Sequence, residues 1–120
     1  MKEKEEIIEI KIAEIDLYLI DKARKLRVDK GISQVSLSIA MGLAEGTVGR
    51  IENPRERAKY NIRHINLLAK ALKCNPSDLL PTKPLKNDII KARIKIIRNK
   101  RDKKGEPNYQ ILEKTSVKDL

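Results

Sequence analysis

Apolar and polar positions between residues 33 and 52 form two short helical patterns separated by a glycine. The apolar positions of the two patterns are Leu37, Ala40 and Met41, followed by Val48 and Ile51. Gly42 stands between them, where a tight turn between helices needs a positive φ that a Cβ disfavours. The spacing predicts a helix-turn-helix whose second helix, from about residue 44 to residue 53, protrudes from the surface.

The segment before this motif predicts one long helix and leaves its beginning open. Apolar residues recur at helical spacing over about 16–30, and Gly31 is the left-handed residue expected to end that helix. Residues 4–15 fit two patterns, because the isoleucines at 8, 10 and 12 suit a helical extension and also alternate as on a strand.

Two further helices are predicted after a polar loop at 53–60. Asn61 is a good N-cap for a fourth helix. The apolar stripe of this helix consists of Ile62, Ile65, Leu68, Ala69 and Leu72. Asn75 and Pro76 have the cap and first-position chemistry of a short fifth helix. Pro81 and Pro84 then mark a linker.

The tail has the alternation of strands. Apolar residues at 90, 92, 94 and 96 alternate with basic residues, and Tyr109 and Ile111 suit a returning strand. The pattern predicts a small β-hairpin, and an amphipathic helix over 87–98 is the competing interpretation. The isoleucine row would pair either with a second copy of the chain or with residues 7–12, since an exposed apolar row promotes association.

Three segments carry a family resemblance: LRVDKGISQ, LSIAMGLAEGTVGRIEN and HINLLAKALKCNPSDLL. Together they resemble the lambda repressor/Cro-like helix-turn-helix family, also called the xenobiotic-response-element family. The resemblance implies a compact bundle of five helices, so we expect a mainly α fold to which the small β-hairpin predicted from the tail is added. It also implies a transcriptional regulator that binds DNA as a dimer. We expect an acidic extension at 1–15, the helix-turn-helix domain at 16–81, and a basic extension at 82–120 that forms the hairpin and serves as a dimerisation element.

Two residues depart from the family pattern. Ser38 stands where the family usually has Ala, at the closest approach of two helices. Ala44 replaces the usual Ser or Thr cap of the recognition helix, which should weaken the start of that helix by about 1 kcal/mol. We therefore expect a recognition helix that becomes fully ordered only on DNA.

The charge distribution favours a polyanionic partner. The net charge is +10. Residues 1–16 carry 3 basic and 6 acidic side chains, residues 17–80 carry 12 and 6, and residues 81–120 carry 12 and 5. The acidic beginning is not expected to touch DNA, whereas the middle and the tail both carry the charge for it.

Other chemistries find little support in the sequence. Cys74 is the only cysteine and His64 is the only histidine. The sequence therefore predicts no group of catalytic residues, no metal site and no cofactor. No stretch is apolar enough to span a membrane, and the charged start does not have the pattern of a signal peptide. A cytoplasmic location is the expectation.

Helical geometry assigns the DNA-facing residues of the third helix. Val48 and Ile51 point inward, and the opposite face holds Glu45, Gly46, Thr47, Gly49, Arg50 and Asn53. Arg50 is the best candidate base reader, because a guanidinium bonds guanine O6 and N7 together, and a phosphate clamp is its alternative role. Glu45 is expected to accept a hydrogen bond from cytosine N4, or only to lie favourably at the positive N-terminus of the helix dipole. Thr47 is expected to contact either a thymine methyl group or a phosphate.

The two glycines have two explanations: either the backbone approaches the groove floor closely, or few bases are read directly. Around the third helix, the resemblance places Gln34 on the DNA backbone, and the loop offers Asn53, Arg55, Arg57 and Lys59 for phosphates. Glu52 is expected to pair internally with Arg24 or Arg27.

The sequence thus predicts a sequence-specific DNA-binding transcriptional regulator that inserts its third helix into the major groove of double-stranded DNA as a homodimer. The alternative is an antitoxin-like interaction module that binds a protein partner such as a toxin and also binds DNA.

Overall fold

The structure is a computed structural model that describes residues 5–101 and 107–117. Its elements in chain order are β1 (Glu5–Ala13), α1 (Glu14–Asp29), α2 (Gln34–Ala40), α3 (Thr47–Glu52), α4 (Ile62–Leu72), a 3₁₀ turn (Pro76–Asp78), β2 (Ile89–Arg101) and β3 (Pro107–Ser116). None of the helices in these ranges is long and apolar enough to cross a membrane.

The predicted ends of α1 and α2 and the predicted cap of α2 are confirmed. Gly31 and Gly42 have φ values of 68° and 75°, so each ends a helix in the left-handed conformation that glycine adopts without a Cβ clash. The Ser33 hydroxyl accepts the backbone N–H of Ser36 at 3.0 Å and caps α2.

The helices share one aliphatic core. Buried members come from every helix, among them Ala23, Leu37, Val48, Leu68 and Leu72, each with no exposed surface. Two predicted core positions were wrong. Ile62 is 86% exposed, because it is the first residue of α4 and lies outside the bundle. Ala40, the last residue of α2, is exposed as well.

The predicted fifth helix is only a three-residue 3₁₀ turn, so the bundle has four helices in the part that the structure describes. Asn75 and Asp78 bond each other's backbone N–H groups in a capping box with Pro76 in between. The segment ends there because Leu79 turns fully into the core and Pro81 follows at once.

The three strands form one antiparallel sheet in the order β1–β2–β3. The strand interpretation of the segment at 4–15 is confirmed for residues 5–13, whereas residues 14 and 15 already belong to α1 and residue 4 lies outside the described residues. The competing helix over 87–98 is wrong. Ile8 pairs with Ile94, which pairs with Ile111, so the isoleucine row of the hairpin pairs with the beginning of the same chain. Alternation decides this outcome, because it buries one face of the sheet and leaves the charged face in water.

The apolar face of the sheet joins the helices at one place. Leu17 of α1 packs with Ile90, Ala92, Ile94 and Ile96, all of them buried. Ile12, the next-to-last residue of β1, contacts both this cluster and the helical core. Because β1 runs directly into α1, the sheet is fixed to the bundle near the start of α1.

Candidate nucleic-acid interface

The recognition helix α3 begins three residues later than predicted. Residues 44–46 form a turn in which the N–H of Thr47 donates to the carbonyl of Ala44 at 3.0 Å, and Gly46 occupies the cap position without a side chain. Val48 and Ile51 point into the core, with 0% and 4% of their surface exposed. The inward face of α3 is therefore the predicted one, although the helix itself is shorter.

The cap that α3 lacks is supplied by α2. The Ser38 hydroxyl, which is fully buried, accepts the backbone N–H of Val48 at 3.0 Å and donates to the carbonyl of Gln34 at 3.0 Å. Val48 is the second residue of α3, so this bond satisfies one of the donors that a helix start leaves open. The two family departures therefore compensate each other, because Ser38 caps the helix that Ala44 leaves without a side-chain cap. That α3 becomes fully ordered only on DNA stays a prediction.

The end of α3 is held by a buried ion pair. Arg27 has no exposed surface, and its Nε and Nη2 donate to the two carboxylate oxygens of Glu52 at 2.8 and 2.7 Å. Its Nη1 donates to the carbonyl of Ile32 at 2.7 Å, and the Nε of Arg24 lies 3.8 Å from Glu52. The internal role predicted for Glu52 is confirmed, with Arg27 as its main partner.

Gln34 belongs to the same network. Its amide Nε2 donates to Glu52 at 3.0 Å, and its Oε1 would lie 3.1 Å from a Cβ built on Gly49. Gly49 therefore has a reason within the protein, since a side chain there would press on Gln34. A Cβ on Gly46 would meet nothing within 4 Å, so no contact within the described protein requires a glycine at that position.

The outward face of α3 is open to solvent. Glu45, Gly46, Arg50 and Asn53 are exposed, and Thr47 and Gly49 are half-buried between them. Anchored on its inner face by Val48 and Ile51 and at its end by Glu52, this short helix presents Arg50 at the surface. The structure thus brings the predicted base-reading residues of α3 together on one face.

The loop after α3 holds the predicted phosphate contacts, and two of them have partners in the protein. Arg55 forms an ion pair with Glu6 of β1, and Lys59 Nζ lies 3.5 Å from Asp16 of α1. Asn53 Oδ1 accepts the backbone N–H of Arg55 at 3.0 Å. Arg57 is exposed, and no described residue forms an ion pair with it.

The sequence interpretation missed these acidic partners. The negative charge of the first 16 residues is the signal that could have indicated them. From that charge we predict only that the segment does not touch DNA. The contacts with Glu6 and Asp16 show a further effect of that charge, since it lies against cations of the loop.

His64 has a structural role in the start of α4. Its Nδ1 accepts the backbone N–H of Asn61 at 3.0 Å, and the Asn61 side chain accepts the backbone N–H of His64 at 2.9 Å. Burial, and then the neighbouring Arg63, lower the pKa of His64 below 6.5. Within the described ranges no group of His, Cys, Asp and Glu side chains is arranged to hold a metal ion.

Comparison with known proteins identifies the family. Residues 22–84 match the Cro/C1-type helix-turn-helix DNA-binding domain, and this range is more than half of the chain. The protein therefore belongs to the Cro/C1-type helix-turn-helix family, which makes it a DNA-binding protein of the regulator type. No match was found among curated proteins.

Solved structures that are similar to this chain include a transcription factor and a controller protein. The hypothetical transcription factor NHTF from Neisseria is 29% identical, with 57% of this chain and 76% of that chain covered and a TM-score of 0.50. The restriction-modification controller protein C.AhdI from Aeromonas hydrophila is 32% identical, with 52% and 92% covered and a TM-score of 0.46.

Proposed function

We propose that this protein is a sequence-specific transcriptional regulator that inserts α3 into the major groove of its operator. The observation that carries the proposal is the exposure of Arg50 on a helix whose other face is held rigidly by the core. A base-reading side chain needs such a support, because discrimination depends on holding hydrogen-bond geometry against the base edge.

Each residue around α3 has a role in this proposal. Arg50 bonds guanine O6 and N7, Glu45 accepts from cytosine N4, and Thr47 contacts a thymine methyl or a phosphate. Gly46 lets the backbone approach the groove, and Gly49 leaves room for Gln34 as well. Phosphates on either side are bound by the Gln34 amide and by the loop residues Asn53, Arg55, Arg57 and Lys59.

We also propose that two copies bind one operator. A single helix of six residues contacts few base pairs, so specificity in a genome requires a second half-site about one helical turn away, roughly 34 Å along the DNA. Binding to a protein partner such as a toxin stays a prediction, and no described contact favours it over DNA.

Selection of bound sites from random duplex DNA at physiological salt tests this function. We expect two related half-sites about one helical turn apart. Replacing Arg50 with Ala should relax the base preference at one position of each half-site, with a loss of about 1–3 kcal/mol for the preferred base.

Arg93→Ala is the matched control, because Arg93 is an exposed arginine on the outer face of the sheet, where it pairs with Glu113. Its selected sites should equal those of the parent protein. A protein that retains no duplex at low salt, or an Arg50→Ala variant that selects the same sites with the same affinity, would refute the proposal.

A further inference from the structure

A half-open cleft of about 490 Å³ separates β1 from the loop that follows α3. Its floor is aliphatic, with Ile8, Ile10 and Ile12 from β1, Ile51 from α3 and Ile94 from β2. Its outer wall is the loop from Asn53 to Lys59. This volume is typical of binding sites for small molecules. Such sites are concave and mainly apolar, and a few polar groups in them orient the ligand.

The cleft follows from how the sheet is attached. Leu17 is buried where it holds the sheet against the bundle at the α1 end, whereas Ile8, Ile10 and Ile12 of β1 are only half-buried. Their side chains face the helices across the gap. Apolar surface left in contact with water costs about 25 cal/mol per Å², so an apolar group that fills this gap gains free energy.

The polar groups around the cleft carry both signs of charge, and Arg57 on its outer wall is the place for an anion. Lys11, Arg55, Arg57 and Lys59 line it, against the acids Glu9, Glu52 and Glu56. Arg27 binds Glu52, Glu6 pairs with Arg55, and Asp16 lies near Lys59, so these charges are already compensated within the protein. No described residue forms an ion pair with Arg57. Tyr109 also lines the cleft, and its largely buried hydroxyl lies near Asp21 of α1.

We propose that this cleft binds a small amphipathic anion, an organic carboxylate or sulfonate with an aromatic or aliphatic body. The body lies on the isoleucine floor, and the anionic group lies at the loop, where Arg57 binds it.

The ligand would also act on DNA binding. Arg55, Arg57 and Lys59 line the cleft and are the cations that we assign to phosphates, so ligand and DNA draw on the same groups. Each then weakens the binding of the other by the same factor. This coupling rests on the proposed function, whereas binding of the ligand to the free protein does not.

Fluorescence titration of the full chain with anilinonaphthalene sulfonate tests the site, with phenylnaphthylamine as the uncharged probe. We expect saturable binding of one sulfonate probe per chain. Ile8→Trp and Ala58→Trp should each remove that binding, because both replace half-buried residues that line the cleft. Arg57→Gln should weaken binding of the sulfonate several-fold and leave binding of the uncharged probe unchanged.

Ile7→Trp is the matched control. Ile7 precedes Ile8 on the same strand, points to the outer face of the sheet and is 52% exposed. The Ile7→Trp variant should bind the sulfonate probe as the parent protein does. Thermal unfolding should show that all variants are folded. Folded Ile8→Trp and Ala58→Trp variants that still bind the probe like the parent would overturn the proposal.

Two further outcomes have a defined meaning. A parent chain that binds neither probe, while Ile8→Trp changes its sedimentation from dimer to monomer, would show that a second copy covers the cleft, which also overturns the proposal. Probe binding with no effect on DNA affinity would leave the site in place and refute only the coupling.

Discussion

Ser38 shows how one hydroxyl determines whether a short helix has a defined beginning. It bonds the carbonyl of Gln34 in its own helix and the N–H of Val48 in the next, at 3.0 Å each. A six-residue helix whose N-cap is a glycine has little stability of its own. The hydroxyl therefore joins the two helices of the motif and also fixes the first turn of α3.

Ser38→Ala should lower the free energy of unfolding by about 1–2 kcal/mol, because it leaves the buried Val48 N–H without a partner and removes the cap. Urea unfolding measures the change. Ser77→Ala, at an exposed serine of the 3₁₀ turn, should leave the midpoint unchanged. Equal midpoints for the two variants would show that the cap contributes nothing.

At the scale of the element, α4 begins with a capping box that depends on a titratable residue. The ring Nδ1 of His64 accepts the backbone N–H of Asn61, and only the neutral imidazole has that acceptor. The box is completed by the Asn61 side chain, which accepts the N–H of His64. Protonation of one side chain therefore removes half of the cap of this helix.

The protein should become less stable as the pH falls through the pKa of His64. Because the folded state lowers this pKa below 6.5, protons bind the unfolded chain more readily. The stabilisation is present above about pH 6.5 and is lost as the pH falls through the folded-state pKa.

His64→Gln keeps an acceptor at the same position of the capping box and does not titrate. Urea unfolding at about pH 7.5 and about pH 5 should therefore show a smaller loss of stability for His64→Gln than for the parent. An identical pH dependence in both proteins would assign the loss to the carboxylates instead.

At the scale of the molecule, the acidic first strand lies against the loop predicted to bind DNA. Glu6 pairs with Arg55 from a position where both side chains are more than a third exposed, and Asp16 lies near Lys59. We propose that DNA phosphates and this segment compete for the same cations, so that the N-terminal strand modulates DNA binding without contacting DNA.

Glu6→Gln should raise the affinity for operator DNA several-fold at low salt. It removes one carboxylate that competes with phosphate for Arg55, and one fully gained phosphate contact steepens the log–log salt dependence by about 0.9. Titrations of the protein with operator DNA at several salt concentrations measure both the affinity and the slope of its salt dependence. Glu113→Gln removes the same charge from β3, where Glu113 pairs with Arg93, and should change neither value. A parent-like salt slope and affinity for Glu6→Gln would contradict the competition.

Local patterns were enough for part of the site. The Ser33 and Asn61 caps, the two glycine turns and the inward face of α3 all depend on neighbours within four residues, and all are as predicted. The start of α3 was misplaced, because its cap comes from Ser38, which is separated from Val48 by ten residues of the chain. No spacing rule within a helix predicts a bond of that kind.

What the sequence determined by itself was therefore the turn motif and the charge of the molecule, because periodicity, caps and glycines act over a single turn. Only the tertiary structure decided that residues 5–13 are a strand, that Arg27 is the main partner of Glu52, and that a cleft separates β1 from the loop. These features join residues that are distant in the chain. Burial selects such partners, and the free energy of burial depends on which surfaces meet in the folded molecule.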